Sequence, residues 1–260
     1  MSPEAAPDLS VIVPVYRNAT TVRTLAEQVI AVLSGLGLSH EIVFVNDASP
    51  DDSAARLAEL ERDHPVVRTI NLPVNIGQHA AVLHGLAAAR GAWCAIMDAD
   101  LQDRPASLAV LWEARAPGIE AVFAGRRGHY ESRGRLLTSR LFKWVLHRMT
   151  GIPADAGIFV LLSRSLVDRL VAFPTRVPWV QAMIGCLGAR TCSVPVVRDP
   201  RPDGESSYSA LARLRTALRA LLCVLEYRFW RAPAPYLART ARPDDQDAGR
   251  LVPYSRTKRA

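Results

Sequence analysis

Trp93-Cys94-Ala95-Ile96-Met97-Asp98-Ala99-Asp100-Leu101-Gln102-Asp103 decides how the rest of the chain is read. An apolar run carries a strand into a core, and Asp98 and Asp100 end it where the chain leaves that core. Two carboxylates one residue apart repel each other unless a cation or another positive group stands close by. Oxygen ligands in this pattern suit Mg2+ or Mn2+, ions commonly held by one or two carboxylates together with substrate phosphates. By itself the pair is a weak signal, because loops also carry acids for solubility. The flanking sequence supplies the rest.

Working outward, strand and helix signals alternate through the first hundred residues. Leu9 to Val15 is a β-rich run, and Thr21 to Leu33 has helical spacing (Val22, Leu25, Val29, Val32 or Leu33) until Gly35 and Gly37 stop it. Glu41 to Val45 is a second strand, closed by Asn46-Asp47-Ala48-Ser49-Pro50-Asp51-Asp52 and followed by a helix from Ser53 to about Arg62. Val66 to Asn71 reads as a third strand, Asn75 to Arg90 as a small-residue helix, and Ala92 to Met97 as the fourth strand. This alternation predicts an α/β fold with a mostly parallel central sheet flanked by helices. Ligands of such sheets bind outside the carboxyl ends of the strands. Three of those ends carry acids or amides: Asn18 after the first strand, Asn46 and Asp47 after the second, Asp98 and Asp100 after the fourth. Convergence of three polar strand ends on one edge favours a binding site over solubility.

A chain of 260 residues, 49% hydrophobic, can bury one substantial core. Cys94, Cys186, Cys192 and Cys223 are scattered without metal-ligand spacing and read as core thiols of a reducing compartment. The first residues show no basic stretch leading into an apolar one, and no run of 18 apolar residues occurs, so the expected location is cytoplasmic. The net charge of +7 admits nucleic acid, an anionic membrane or a phosphorylated substrate as partner. From Arg126 to Arg148 seven Lys or Arg residues (126, 127, 133, 135, 140, 143, 148) face one acid, Glu131. That segment lacks the interleaved aromatic platform of single-strand nucleic-acid binders, so no nucleic acid is expected. No P-loop or dinucleotide-binding glycine pattern is present, which argues against a kinase or dehydrogenase. His79 and His84, five apart in one helix, point to different faces, and a zinc site is not expected there.

The ordered motifs resemble glycosyltransferase family 2, which has the GT-A nucleotide-sugar-binding fold. They are Val-Ile-Val-Pro-Val-Tyr-Arg-Asn at 11–18, Val-Asn-Asp-Ala-Ser-Pro-Asp-Asp-Ser at 45–53, Asn-Ile-Gly-Gln-His at 75–79, Met-Asp-Ala-Asp-Leu-Gln-Asp at 97–103 and Asp155-Ala156-Gly157. The resemblance spans about Leu9 to Leu225. Within the family the chain is most similar to the polyprenyl-phosphate sugar transferases, of the dolichol-phosphate-mannose-synthase and undecaprenyl-phosphate aminoarabinose transferase type. It implies that Pro14, Tyr16 and Asn18 form a first nucleotide-contacting loop, with Val45 and Asp47 framing the base. A strand-end carboxylate can accept a hydrogen bond from a uracil or guanine edge; Asp47 equally fits a turn residue of Asp-Ala-Ser-Pro. Across Asp98, Ala99 and Asp100, the first acid would face ribose or metal-bound water, and Asp100 would hold the ion bridging the donor phosphates. Gln102 matches the family's glutamine just beyond the metal.

Further roles follow from the same likeness. Arg126 or Arg127 matches the family's Gly-x-Arg after a fifth strand (Ala121 to Ala124), where a guanidinium can hold phosphate oxygens bidentately. Arg127, Arg133, Arg135 and Arg140 are expected at the acceptor phosphate, or as a solvated basic helix face. Asp155 is placed near sugar and acceptor. For a hydroxyl acceptor it would take the proton as general base; for a phosphate acceptor, already ionised, it would orient acceptor or sugar. It fits a turn residue as well.

The chain departs from the family pattern in two places. Relatives close the donor site with Arg-x-x-Gly-x-Ser-Lys, and here Arg201 to Tyr208 keeps Arg201 but has Ser207 where the lysine stands, with Arg198 available to compensate. Many bacterial relatives also continue into transmembrane helices, and no such anchor is expected from this sequence. The expected organisation is a flexible 1–8, a catalytic domain over 9–208, an amphipathic helix over 209–230 and a disordered Pro-, Arg- and Asp-rich tail over 231–260. In that helix Leu211, Leu214, Leu218, Leu221, Leu222, Leu225 and Phe229 recur at helical spacing beside Arg213, Arg215, Arg219 and Arg228. The stripe fits an interfacial helix lying peripherally on an anionic membrane surface, and equally one docked on the protein's own core or on a second subunit as a homo-oligomer.

The sequence thus reads as an inverting, Mg2+- or Mn2+-dependent transferase moving a sugar from a UDP- or GDP-sugar to a polyprenyl phosphate. A soluble hydroxyl acceptor is the alternative. An inactive sugar-nucleotide-binding subunit is a further one, which the intact Asp98/Asp100 pair opposes.

Overall fold

β1 (Leu9–Val15), an almost unbroken apolar run, is buried along its whole length. Runs of this kind belong to strands covered on both faces. The computed structural model, which describes residues 6–127, 146–199, 210–229 and 234–240, sets β1 at the centre of one sheet. The other strands are β2 (His40–Asn46), β3 (Val67–Asn71), β4 (Trp93–Ile96), β5 (Ala121–Arg127), β6 (Val160–Ser163) and β7 (Thr191–Val197), in the order β3-β2-β1-β4-β6-β5-β7. Neighbours pair parallel except at β6, which runs against both β4 and β5. The mostly parallel α/β sheet expected from the sequence is what the chain forms.

Helices cover both faces. On one side α1 (Val22–Gly35), α2 (Ser53–Asp63) and α4 (Ser107–Glu113) bury Leu25, Val29, Leu57, Leu60, Leu108 and Leu111 against Val11, Val13 and Phe44. On the other, α3 (Gln78–Ala88), α5 (Arg164–Val171), α6 (Val180–Cys186) and α7 (Ala210–Phe229) pack on Ile12, Ile96, Phe123 and Val160. Gly85 lets α3 lie close, since a methyl group there would overlap the side chains of Ile12 and Val45. Helix α3 is shorter than its apolar pattern, Asn75 to Arg90, because flanking backbone groups are claimed elsewhere. Ile76 and Gly77 N–H donate to Asp47, and Arg90 N–H donates to Glu41.

The C-terminal part departs from expectation at one point and decides another that the sequence left open. A short helix α8 (Tyr236–Thr240) forms inside the segment expected to be a disordered tail, because Leu237 is buried in the main core; residues 241–260 lie outside the described residues. Helix α7 docks through Ala220, Cys223 and Val224, while Leu218, Leu222, Leu225 and Phe229 of the anticipated stripe stay exposed. The buried thiols of Cys94 and Cys223 are pushed up to about 12 by desolvation, as fits core packing.

Hydrogen-bond register makes one straight row across all seven strands: Arg68, Val43, Ile12, Ile96, Val160, Phe123, Ser193. Two residues further toward the carboxyl edge, the same faces carry Val45, Pro14, Asp98 and Gly125. The opposite edge is closed by Glu41, 2% exposed, which accepts from the Ser10 hydroxyl, Arg90 N–H and the guanidinium groups of Arg68 and Arg90. Burial would raise this carboxyl, but those donors outweigh it and hold the group below its ordinary range. Glu41→Ala should lower stability by about 2–3 kcal/mol, the low end for a broken buried pair because both arginines stay solvated. Urea unfolding checks this; an unchanged midpoint would show that Glu41 pins nothing.

Candidate active site

Loops leaving β1, β2 and β4 meet at the carboxyl edge and are stitched together by side chains. Asp51, in the loop after β2, accepts from Ser49 Oγ, from Ser53 Oγ at 2.6 Å and, across the gap, from Ala19 N at 3.1 Å. Arg17 N donates to Ser49 Oγ at 2.7 Å and Asn18 N to Ser53 Oγ at 3.4 Å. Desolvation alone would raise the Asp51 carboxyl, but these donors bring it down to about 2. Thr21 Oγ1 donates to Ala99 O at 2.6 Å, fastening the first loop to the Asp98–Asp100 segment. Each of the three loops holds one non-glycine residue in the left-handed region: Arg17 (φ 60°), Ala48 (φ 49°) and Leu101 (φ 59°). Such conformations cost energy and persist where surrounding contacts over-determine them, commonly at functional sites.

Those contacts bring together Pro14, Tyr16, Asn18, Val45, Asp47, Asp98, Ala99, Asp100 and Gln102, anticipated from three separate stretches of the sequence. Pro14 pairs with Val45 in register, and Asp47 N donates to Val15 O at 2.9 Å. Tyr16 stands 44% exposed with the Arg17 guanidinium 5.5 Å from its ring centre. Asp47 is 3% exposed, and its two oxygens accept from Ile76 N (2.7 Å) and Gly77 N (2.9 Å). The carboxylate therefore ties the 76–77 backbone to β2, while the local Asp-Ala-Ser-Pro turn is held by Asn46 Oδ1 accepting from Ser49 N; each Asp47 oxygen still has a second lone pair to offer.

Around the acidic pair stand partners the sequence marked faintly. Gln78, first residue of α3, donates its amide to Asp98 Oδ1, and Gln102 N donates to Asp100 Oδ1 at 3.1 Å. Arg198, just past β7, lies 3.8 Å from Asp98 Oδ2 and 3.2 Å from Asp103 Oδ1. Asp199 N donates to Gln102 O at 2.9 Å, and Arg104 grips the Asp199 carboxylate with a fork of two N–H groups. The chain after β7 is thus sewn to the acidic loop. In the sequence Gln78 belongs to Asn-Ile-Gly-Gln-His with no role of its own, and Arg198 offers only a substitute for a missing lysine. Asp51 and Asp103 had no signal beyond acids in a loop, since their partners are 32 and 95 residues away.

Asp155 reaches the same edge from the other half of the sheet. Its Oδ2 accepts from Ser193 Oγ of β7 at 2.8 Å, and the carboxylate lies over Gly125 of β5. Arg126 and Arg127 end β5 just beyond, though their side chains, like the whole of Arg133, Arg135, Arg140 and Arg201, lie outside the described residues. His79 packs its ring 3.9 Å from that of Trp179, and Val180 N donates to its Nδ1. Desolvation, helped by the charge of Arg219, lowers the imidazole to about 3, so it stays neutral.

The mostly parallel sheet, with an acidic strand end facing a guanidinium, is a GT-A fold. The family model described as Glycosyl transferase family 2 matches residues 10–168, more than half of the chain. The chain belongs to glycosyltransferase family 2 and is a glycosyltransferase. It is 34% identical over 227 residues to an undecaprenyl-phosphate 4-deoxy-4-formamido-L-arabinose transferase of Pseudomonas paraeruginosa, covering 86% of this chain and 67% of that protein. An uncharacterised glycosyltransferase of Bacillus subtilis is 30% identical, covering 80% and 66%. Among solved structures, glucosyl-3-phosphoglycerate synthase of Mycobacterium tuberculosis with Mn2+, UDP and phosphoglyceric acid shares the fold at TM-score 0.63 and 20% identity, covering 85% and 78%. A mannosyltransferase of Pyrobaculum calidifontis with GDP-mannose and Mn2+ does so at 0.61 and 24%, covering 92% and 70%.

Two outcomes test this geometry. Gly125→Ala puts a methyl group where the Asp155 carboxylate and Ser193 hydroxyl lie, so turnover should fall at least about tenfold with the melting curve little changed. Full turnover would detach Asp155 from the site. Asp51 has a depressed folded pKa, so its contribution to stability is complete above the ordinary value of 3.8 and is lost as pH falls through about 2. Asp51→Asn should therefore flatten the acid slope of stability between about pH 4 and 2 by up to one proton. Acid titration of parent and variant measures that slope; identical slopes would contradict the clamp.

Proposed function

We propose that this chain transfers a sugar from a UDP- or GDP-sugar to a polyprenyl phosphate, with inversion, using Mg2+ or Mn2+ on the donor diphosphate. The observation that carries the reading is the placement of Asp98 and Asp100 at one sheet edge, with the Arg198 cation beside Asp98 and Asp103. Carboxylates beside a guanidinium form a site that a metal–diphosphate pair can enter, exchanging charge for charge. The name of the Pseudomonas relatives supports a lipid-phosphate acceptor, and the nucleotides and Mn2+ in solved structures of the same fold support the donor and the ion.

The residues present fit such an ion. Among the described residues no group of three or more His, Cys, Asp or Glu is arranged to cage a metal. Two carboxylates completed by diphosphate oxygens and water are the usual arrangement for Mg2+, and Asp98 and Asp100 would provide them. Bound there, the ion supplies Lewis-acid charge that stabilises the departing nucleoside diphosphate.

The chain's own groups do the rest. Tyr16 and Asn18 line the nucleoside wall, backed by the buried Pro14 and Val45, with the exposed Tyr16 ring offering a face to the base and Asp47 an acceptor. Arg198 exchanges its acidic partners for diphosphate oxygens when the donor binds, in place of the lysine absent at Ser207. Gln78 and Gln102 keep the acidic pair oriented, and Arg201 closes the donor side. A phosphate acceptor is already ionised at neutral pH, so Asp155, held by Ser193, orients the acceptor and the sugar rather than removing a proton. Arg126 and Arg127, ending β5 beside it, provide cations for the phosphates, continued by Arg133, Arg135 and Arg140.

Incubation with labelled UDP- and GDP-sugars and undecaprenyl phosphate tests the reading directly. Label should enter the organic phase only when Mg2+ or Mn2+ is supplied; transfer to soluble hydroxyl acceptors alone would overturn it. Asp100→Ala should cut turnover at least about a hundredfold, while Arg198→Ala should raise the donor KM about tenfold. Unchanged kinetics in either variant would remove that residue from the donor site.

A further inference from the structure

A helix that docks on a protein needs one apolar stripe, and α7 has two. Ala220, Cys223 and Val224 are buried, and Tyr227 stacks on Phe173 with ring centres 4.8 Å apart. At about 100° per residue these four occupy one side of the helix, and Leu218, Leu222, Leu225 and Phe229 fall within about 60° of one another on the opposite side. Those four are 49%, 40%, 36% and 74% exposed. Nothing in their own element requires them to be apolar.

On the helix itself, among the described residues, the exposed charges beside this second stripe are arginines. Arg219 flanks it on one side and Arg228 on the other, both exposed. Arg228 donates to Met149 O at 2.6 Å, next to exposed Arg148. Exposed Arg176 gives its backbone N–H to Glu226. Glu226 is the helix's one acid; it is 5% exposed and turned inward, accepting from Thr175 Oγ1 at 2.9 Å and Arg176 N at 2.8 Å. An outward apolar stripe thus lies between arginines with its carboxylate withdrawn.

We infer that this face of α7 seats on an anionic bilayer surface, with Leu218, Leu222, Leu225 and Phe229 in the headgroup–acyl boundary and Arg219 and Arg228 on lipid phosphates. An apolar face rimmed by cations matches such a surface in both polarity and charge. A second copy of the same face is a poorer partner, since a twofold contact sets arginines against arginines with no carboxylate on the helix to meet them. Crossing the bilayer is a different mode: no helix among the described residues is long and apolar enough to span it. Helix α7 also borders the active site, because Arg219, Gln78 and Trp179 line one small cavity and Gln78 donates to Asp98. A bilayer at this face therefore brings lipid headgroups close to the acidic edge.

The inference stands on the exposed face and not on the acceptor assigned above, so it is read without turnover. The full chain is sedimented with vesicles of phosphatidylcholine containing phosphatidylglycerol and with vesicles of phosphatidylcholine alone. Parent protein should sediment with the anionic vesicles, less so as salt rises and less with the neutral ones. Leu222→Glu/Phe229→Glu should weaken that binding at least about tenfold with an unchanged melting curve, because both side chains face solvent. Arg219→Gln/Arg228→Gln should weaken it about tenfold or more. Failure of the parent to bind anionic vesicles, or full binding by the Leu222→Glu/Phe229→Glu variant, overturns the inference. It is overturned too if the parent sediments as a dimer in the ultracentrifuge and that variant as a monomer with vesicle binding unaltered, which assigns the face to a second copy.

Discussion

Burial of β1 on both faces and both edges is the constraint from which the rest of the architecture follows. A strand with every residue inside must have strands on either side and helices above and below, or its backbone groups and side chains would meet water unpaired. Its register with β2 and β4 then fixes where each of those strands ends. Because all three run the same way, the polar residues that follow them emerge together, and Pro14, Val45 and Asp98 come level. Convergence at the carboxyl edge is therefore a consequence of parallel pairing and needs no separate device.

What that edge does need is a way to hold loops against their own repulsion and strain. Three backbones in the left-handed region and five acids (Asp47, Asp51, Asp98, Asp100, Asp103) are kept in place by fixed donors. The donors fall into two groups. Backbone N–H and hydroxyl groups satisfy Asp47 and Asp51, which hold loops in position. Gln78 and Arg198 attend Asp98, where a guanidinium can leave for another anion. Asp98 thus has a tight neutral donor on Oδ1 and only a long cation contact, 3.8 Å, on Oδ2, which leaves that oxygen open to exchange.

The antiparallel β6 has a functional consequence of its own. By inserting between β4 and β5 it separates the acidic strand end from Gly125 by one strand, leaving Asp155 to approach from above β5 and find Ser193 on β7. The site thereby acquires two sides, one built from consecutive βα units and one from the later strands. The long helix α7 lies beside the first of these through Arg219 and the start of α3.

Much of this was legible in the sequence because it rests on local rules. Apolar runs, helical spacing and polar strand ends determined the alternation of elements, the parallel sheet and the convergence of residues 14–18, 45–47 and 98–102, since side-chain periodicity reports which face is buried. Sequence patterning also marked the 209–230 segment as an amphipathic helix, yet could not say which apolar residues would dock. A hydrophobic residue carries the same signal whether its partner is this chain or another surface, and only packing sent Ala220, Cys223 and Val224 inward while Leu218, Leu222, Leu225 and Phe229 stayed out. The pairing of Arg198 with Asp98 and Asp103, of Asp51 with Ala19, and of Asp155 with Ser193 likewise belonged to the tertiary structure alone. Those contacts join residues 32 to 100 positions apart, and a charge or a hydroxyl has no periodicity by which a distant partner could be read.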